Sequence, residues 1–131
     1  MDKLIIASSA HDADLFSILG VVVPDPLIVI LAGKKRYALV NQLEYARIKR
    51  ETKGRVFVIP WERYVEKAKK LGKKISFASV AFAFLKEKRI NSVGISPTFP
   101  FVYAQELRRR GIRLSVCSPF IDRSVKTPTE I

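Results

Sequence analysis

Residues 92–116 read SVGISPTFPFVYAQELRRRGIRLSV, and this stretch decides the fold class. Two short runs at 92–95 and 112–116 are rich in apolar residues, and they flank a segment at 100–110 that Gly111 closes. Such runs indicate strands, and a proline at the start with a glycine past the end is typical of a helix. A strand, a helix and a second strand in this order predict a right-handed parallel crossover, the building unit of α/β proteins.

The chain before this unit predicts further strands and helices around it. Runs of apolar and β-branched residues indicate strands at 4–7, 27–31, 37–40 and 56–59, and the middle two form an antiparallel hairpin across Gly33. Helices are predicted wherever apolar side chains recur at helical spacing between these runs. The whole pattern predicts a single α/β domain in which a mixed sheet of five to six strands is flanked by helices.

The helical segments also predict which side chains face the core. Ser9 and Asp12 have the spacing of a capping box before the first helix, and Asn41 with Glu44 begins the second. The predicted inner residues are Ala13, Phe16 and Leu19 in the first helix; Leu43, Ala46 and Arg50 in the second; Trp61, Tyr64, Val65, Ala68 and Leu71 in the third; Phe77, Val80, Ala81, Phe84 and Leu85 in the fourth. Phe82 lies off this stripe and is a candidate partner contact.

Composition limits the class of protein. The chain has 131 residues, a formal net charge of +12 and a single cysteine, Cys117, so no internal disulfide is expected. No apolar run is long enough to cross a bilayer and no signal peptide is evident, which predicts a cytoplasmic protein without a membrane partner. Many of the cations fall in the last turns of predicted helices, where they complement the macrodipole, so nucleic acid is disfavoured as a partner.

Candidate catalytic groups are few. His11 and Cys117 are the only residues of their kinds, but a lone cysteine after a buried strand is more often an apolar filler than a nucleophile. Asp12 and Asp14 have the spacing of a phosphatase D-x-D pair, yet no later acidic pair follows to hold Mg²⁺. Because no metal-ligand cluster or nucleotide-binding loop is present either, we expect neither catalytic nor metal-ligating residues in this chain.

The last residues carry a helix start signal. Thr127 and Glu130 have the spacing of a capping box, and Pro128 stands at the first helical position. The printed sequence holds only one residue after Glu130. We therefore interpret 123–131 as a linker and the beginning of an element that belongs to a further domain.

Three segments together resemble the N-terminal region of Xaa-Pro aminopeptidases, prolidases and creatinase. They are DLFSILG at 14–20 leading to PDP at 24–26, RYALVNQLEYAR at 36–47, and RSVKTPTEI at 123–131. The resemblance implies a ribonuclease-H-like α/β domain over residues 1–122 and a linker at 123–131. It also implies a pita-bread catalytic domain, absent here, in which two Asp, one His and two Glu hold two divalent metal ions.

In the family that the chain resembles, this domain assists oligomerisation and restricts access to the active site. By position, the residues that would carry such a role are Val23, Pro24, Asp25, Pro26 and Trp61. The implied partners are the chain's own catalytic domain, a homodimer partner and short Xaa-Pro peptides. Dipeptidase, aminopeptidase and creatinase-like activities of the parent stay open, as does a different reading, in which the chain is a stand-alone basic module for nucleic acid or another anionic partner.

Overall fold

The computed structural model describes residues 1–72 and 74–121, and these ranges contain strands and helices in alternation. The strands are β1 (Lys3–Ala7), β2 (Leu27–Ala32), β3 (Lys35–Val40), β4 (Phe57–Pro60), β5 (Ser92–Ile95) and β6 (Arg113–Val116). The helices are α1 (Ala13–Leu19), α2 (Gln42–Thr52), α3 (Glu62–Lys70), α4 (Phe77–Glu87) and α5 (Phe101–Arg109). Residues 122–131, which include the predicted linker and capping box, lie outside the described ranges.

The strands form one mixed sheet in the order β4-β3-β2-β1-β5-β6. β2 is antiparallel to both neighbours, β1 and β3, whereas the pairs β3/β4, β1/β5 and β5/β6 are parallel. Five strands therefore point one way and β2 alone points the other. The predicted mixed sheet, the hairpin across Gly33 and the parallel pairing within 92–116 are all confirmed.

Helices cover both faces of the sheet. On one side, the α3–α5 face, the core contains Leu4, Ile28 and Leu39 from the strands together with Phe84 from α4. On the other, the α1–α2 face, Ile5, Val29 and Ala38 pack against α1, α2 and the segment 117–121. Alternation along each strand sends successive side chains to opposite faces. The central strands are thus buried on both sides, which is the α/β arrangement predicted from the sequence.

The inner face of α1 differs from the prediction. Leu19 is buried as predicted, but its buried companions are Leu15 and Ile18, whereas Ala13 is exposed and Phe16 is 44% exposed. The helix begins after Asp12, which is the N-cap: its carboxylate accepts a hydrogen bond from the amide of Leu15 at 2.9 Å.

The inner face of α2 was also predicted wrongly. Leu43 is 94% exposed, and Ala46 and Arg50 are exposed as well, while Ile48 and Thr52 are fully buried. The two sets have nearly the same helical spacing, so periodicity alone did not separate them. The Thr52 hydroxyl donates to the carbonyl of Ile48 at 2.8 Å and so enters the core without an unpaired polar atom.

The predicted inner faces of α3 and α4 are confirmed at their centres. Tyr64 and Ala68 of α3 and Val80, Ala81, Phe84 and Leu85 of α4 are buried. Phe82 is half-buried, and the guanidinium of Arg110 lies over its ring with its carbon 5.2 Å from the ring centroid. An intramolecular cation therefore already covers this ring.

The two faces of α2 can be distinguished by a pair of substitutions. Ile48→Ala is expected to lower the free energy of unfolding by about 2–5 kcal/mol, because it leaves a cavity beneath a fully buried side chain. Leu43→Ala on the same helix should change it by less than about 0.5 kcal/mol, since that side chain is exposed. Urea unfolding followed by circular dichroism measures both, and equal losses would contradict the observed face.

Candidate functional site

One edge of the sheet gathers the positions that the sequence singled out. Because five strands share a direction, their carboxyl ends lie toward this edge, together with the start of β2. In open α/β sheets such an edge is where ligands and partners bind. Pro26 directly precedes β2 and Trp61 directly follows β4, so both lie here. We call this end of the sheet the carboxyl edge, as distinct from the lateral edges that the outermost strands form.

Two buried serines after β1 hold the connection that follows α1. The hydroxyl of Ser8 donates to the carbonyl of Val23 at 2.8 Å, and that of Ser9 donates to the carbonyl of Val21 at 2.9 Å. The Ser9 oxygen also accepts the amide of Val23 at 2.6 Å. Together these bonds form a clamp, which joins the end of β1 to residues 21–23.

The clamp sets how the next three residues are presented. Val23 is 2% exposed and anchored in the core, whereas Pro24, Asp25 and Pro26 are exposed. Each proline fixes its own φ and restricts the residue before it, so little backbone freedom remains between the clamp and β2. The sequence interpretation named 23–26 but missed Ser8, and it wrongly assigned Ser9 to a capping box: Asp12 is the N-cap of α1, and Ser9 bonds Val21 and Val23 instead. The signal was a pair of small hydroxyl residues directly after a buried strand.

Trp61 lies at the same edge but in another layer. Its amide donates to the carbonyl of Val40 at 2.7 Å, and its indole lies against Phe77, with ring centroids 5.4 Å apart. Trp61 belongs to the α3–α5 face, whereas Val23 belongs to the α1–α2 face. Two strand spacings, about 10 Å, separate β2 from β4. The structure therefore brings the candidates to one edge without bringing them into contact.

An open depression of about 410 Å³ adjoins the clamp. It is lined by Ser9, Ala10, His11, Asp12, Ala13, Phe16 and Val22. Its two large apolar side chains are exposed, Phe16 by 44% and Val22 by 56%. Exposed apolar side chains of this kind suit packing against another surface.

The candidate catalytic groups do not assemble. The thiol of Cys117 lies 3.9 Å from the sulfur of Met1 and 3.8 Å from the carbonyl of Ser115, and none of its described contacts involves His11. Asp12 is engaged as the N-cap of α1. Across residues 1–72 and 74–121, no three His, Cys, Asp or Glu side chains lie close enough to hold a metal ion. These residues do not fit a divalent metal pair, and we derive no metal-assisted step for them.

Many of the cations bond within the chain. Arg47 pairs with Glu44 and Glu51 on α2. Its pKa is raised, mainly by the hydrogen bond to Glu44 and also by the negative charges of both glutamates, although burial acts in the opposite direction. The guanidinium of Arg55 donates to the carbonyl of Leu19 at 3.1 Å and so ties α1 to the end of α2. As predicted, the last turns of α2, α3 and α5 carry basic residues.

Comparison with known proteins places the fold. No protein-family model and no curated protein sequence matches the chain. Among solved structures, it is similar to an Xaa-Pro aminopeptidase from Streptococcus pyogenes, with a TM-score of 0.62 and 15% identity over 88% of this chain and 77% of that one. An X-Pro aminopeptidase from Thermotoga maritima has a TM-score of 0.66 and 14% identity over 97% of this chain and 32% of that one. A prolidase from Pyrococcus furiosus has a TM-score of 0.57 and 15% identity over 97% and 30%.

At such identities the likeness establishes the fold. The α/β domain type that the sequence resemblance implied is confirmed, and the chain spans about a third of the Thermotoga and Pyrococcus proteins. In the described ranges, no helix has both the length and the apolar character that spanning a bilayer requires.

The clamp makes a testable contribution to stability. Ser9→Ala removes the partner of the buried Val23 amide and of the Val21 carbonyl, so it should lower the free energy of unfolding by about 1–3 kcal/mol. Ser115→Ala, at an exposed position of β6, is the control and should stay within about 0.5 kcal/mol. Hydrogen exchange at the Val23 amide should accelerate only in the first variant; unchanged exchange there would contradict the clamp.

Proposed function

We propose that this chain is the non-catalytic N-terminal domain of a proline-specific metallopeptidase, an Xaa-Pro dipeptidase or aminopeptidase. The observation that carries the proposal is the unequal coverage of the structural matches. Nearly all of this chain, 97%, superposes on the Thermotoga and Pyrococcus peptidases, but the superposition covers only 32% and 30% of those two proteins. A domain that corresponds to a minor part of each enzyme leaves room for a separate catalytic part.

The proposal assigns different roles to two domains of the parent protein. Residues 1–122 form the N-terminal domain, and 123–131 lead into the catalytic domain, which would supply the five ligands for two divalent metal ions. The metal-assisted hydrolysis of the Xaa-Pro bond is then a property of the parent protein. The present chain would influence it through its contacts with the catalytic domain.

The carboxyl edge supports a role in limiting access. The exposed residues Pro24, Asp25 and Pro26 are held from behind by the serine clamp, so the loop resists displacement by a substrate. A steric limit on peptide length needs such a loop, because a flexible one would yield to a longer peptide at little cost. Trp61, fixed against Phe77, offers a second rigid wall at the same edge.

Exposed apolar side chains support a role in assembly. Phe16 and Val22 line the depression beside the clamp, and Leu43 is 94% exposed in the first turn of α2. The guanidinium of Arg47, one turn after Leu43, donates to the carbonyl of Val22 at 3.4 Å, so the first half of α2 lies beside the connection that follows α1. We assign this side of the domain to contact with the catalytic domain or with a second subunit.

The first test is to read the coding sequence beyond the codon for Ile131. The expected result is a continuous frame whose product supplies two Asp, one His and two Glu, and whose purified form hydrolyses Xaa-Pro peptides when loaded with a divalent metal. A frame that stops at Ile131 would overturn the proposal. In that case, binding of the basic chain to anionic partners such as nucleic acid becomes the function to assay, through its dependence on salt.

The access role predicts a change in substrate preference in that full-length enzyme. Replacing both Pro24 and Pro26 by glycine frees the loop, so kcat/KM for a longer Xaa-Pro peptide should rise by roughly tenfold relative to an Xaa-Pro dipeptide, equivalent to about 1.4 kcal/mol of lost exclusion. Asn91→Gly, in the exposed connection that precedes β5 at the opposite end of the sheet, is the control. An unchanged ratio in the double variant would remove the loop from any role in access, without bearing on the family assignment.

A further inference from the structure

The outer edge of β4 lies at the bottom of a groove of about 500 Å³. β4 is the last strand of the sheet on this side, and no other strand of the described chain pairs with its outer edge. The groove is lined by Tyr37, Lys49, Gly54, Val56, Phe57, Val58, Ile59 and Arg63. Lys49 comes from α2 and Arg63 from α3, so one helix stands on each side of the strand edge.

The ladder shows which backbone groups of β4 face outward. In the parallel pairing Val40 lies opposite Pro60, and the Trp61 amide donates to the Val40 carbonyl at 2.7 Å. The backbone groups of Phe57, Ile59 and Trp61 therefore face β3, and those of Val58 and Pro60 face outward, because orientation alternates along a strand. Val58 presents both an N–H and a C=O to the groove, while Pro60, which has no N–H, presents only its C=O.

The two side walls of the groove carry the same kinds of side chain. On the α3–α5 face the wall consists of Phe57, 57% exposed and stacked on Tyr37 with ring centroids 5.5 Å apart, and of Arg63. On the α1–α2 face it consists of Val58 and Lys49, whose ammonium donates to the Tyr45 hydroxyl at 3.3 Å. Each wall thus offers an apolar surface and a cation, and none of the described residues that line the groove is acidic.

We propose that this groove binds an extended acidic peptide segment of another protein, which adds to the sheet as a seventh strand beside β4. The free N–H and C=O of Val58 match the hydrogen-bonding repeat of a strand, and this edge addition is an established mode of peptide recognition. Lys49 and Arg63 complement carboxylates on both sides of the added strand. The proposal does not depend on the parent protein being a peptidase.

Two other occupants fit less well. A second copy of the chain would bring another net charge of +12 to a groove that is itself basic, and the repulsion opposes this pairing. A single-stranded nucleic acid could stack a base on Phe57, but it would leave the outward backbone groups of Val58 without strand partners. Both alternatives are nevertheless distinguishable outcomes of the experiment below.

The geometry also determines the ligand pattern. Successive side chains of an added strand point to opposite walls, and each wall pairs an apolar surface with a cation. Two adjacent glutamates flanked by valines place one carboxylate and at least one apolar side chain on each wall. The probe is therefore the capped hexapeptide acetyl-Val-Val-Glu-Glu-Val-Val-amide, with glutamine and lysine replacing glutamate in two comparison peptides.

The experiment follows the backbone amides of the 131-residue chain by NMR during titration with the probe. We expect the largest shift changes in β4, and slower hydrogen exchange at the Val58 amide, with the glutamate peptide. The glutamine peptide should bind about fivefold more weakly, since two exposed charge pairs are lost, and the lysine peptide should not bind. Shifts confined to other surfaces, or equal binding of all three peptides, would overturn the proposal.

Variants separate the charge from the strand edge. Lys49→Gln with Arg63→Gln should weaken binding of the glutamate peptide about fivefold, whereas Lys34→Gln with Arg108→Gln, an equal charge change outside the groove, should not. Val58→Pro removes the outward N–H without breaking the β3 ladder, so it should weaken binding of the glutamate peptide, as measured by the shift changes of the remaining β4 amides. Tighter binding of an oligo(dT) at the same residues, or shifts there on concentrating the protein alone, would replace the acidic peptide by nucleic acid or by a second copy.

Discussion

The burial of β2 on both faces is the constraint on which the rest of this structure depends. Residues 27–30 are between 0% and 2% exposed, and alternate ones face opposite layers. A strand in that position needs helices on both sides of the sheet and paired neighbours on both of its edges, because its backbone groups have no access to water. α3, α4 and α5 cover one face and α1 with α2 cover the other, so every element is placed relative to this strand.

The direction of β2 organises the surface. β2 is antiparallel to β1 and β3, while the remaining neighbours are parallel, so five carboxyl ends lie toward one side of the sheet. The connection from α1 into β2 must return to this carboxyl edge. Ser8 and Ser9 hold it there through buried hydroxyl bonds, which makes a stability element of the fold also the support of the exposed residues Pro24 to Pro26.

The high positive charge is partly used within the fold. Arg47 pairs with glutamates on its own helix, Arg110 at the end of α5 pairs with Glu106, and Arg55 bonds carbonyls at two helix ends. Other cations, such as Lys49 and Arg63, remain beside an open strand edge. Net charge alone therefore says little about partners; what matters is where unpaired cations stand beside surfaces with free backbone groups.

Local patterns in the sequence determined the element types, the hairpin at Gly33, the parallel crossover at 92–116 and the inner faces of α3 and α4, since these follow from hydrophobic period and turn residues. Only the tertiary structure decided which face of α2 is buried. Leu43 and Ala46 have the same spacing as Tyr45 and Ile48, so the sequence allows either pair to face the sheet. The separation of Val23 from Trp61 into two layers, and the placement of Lys49 and Arg63 on opposite sides of β4, depend on strand order. That order arises from contacts between distant parts of the chain, which no local pattern contains.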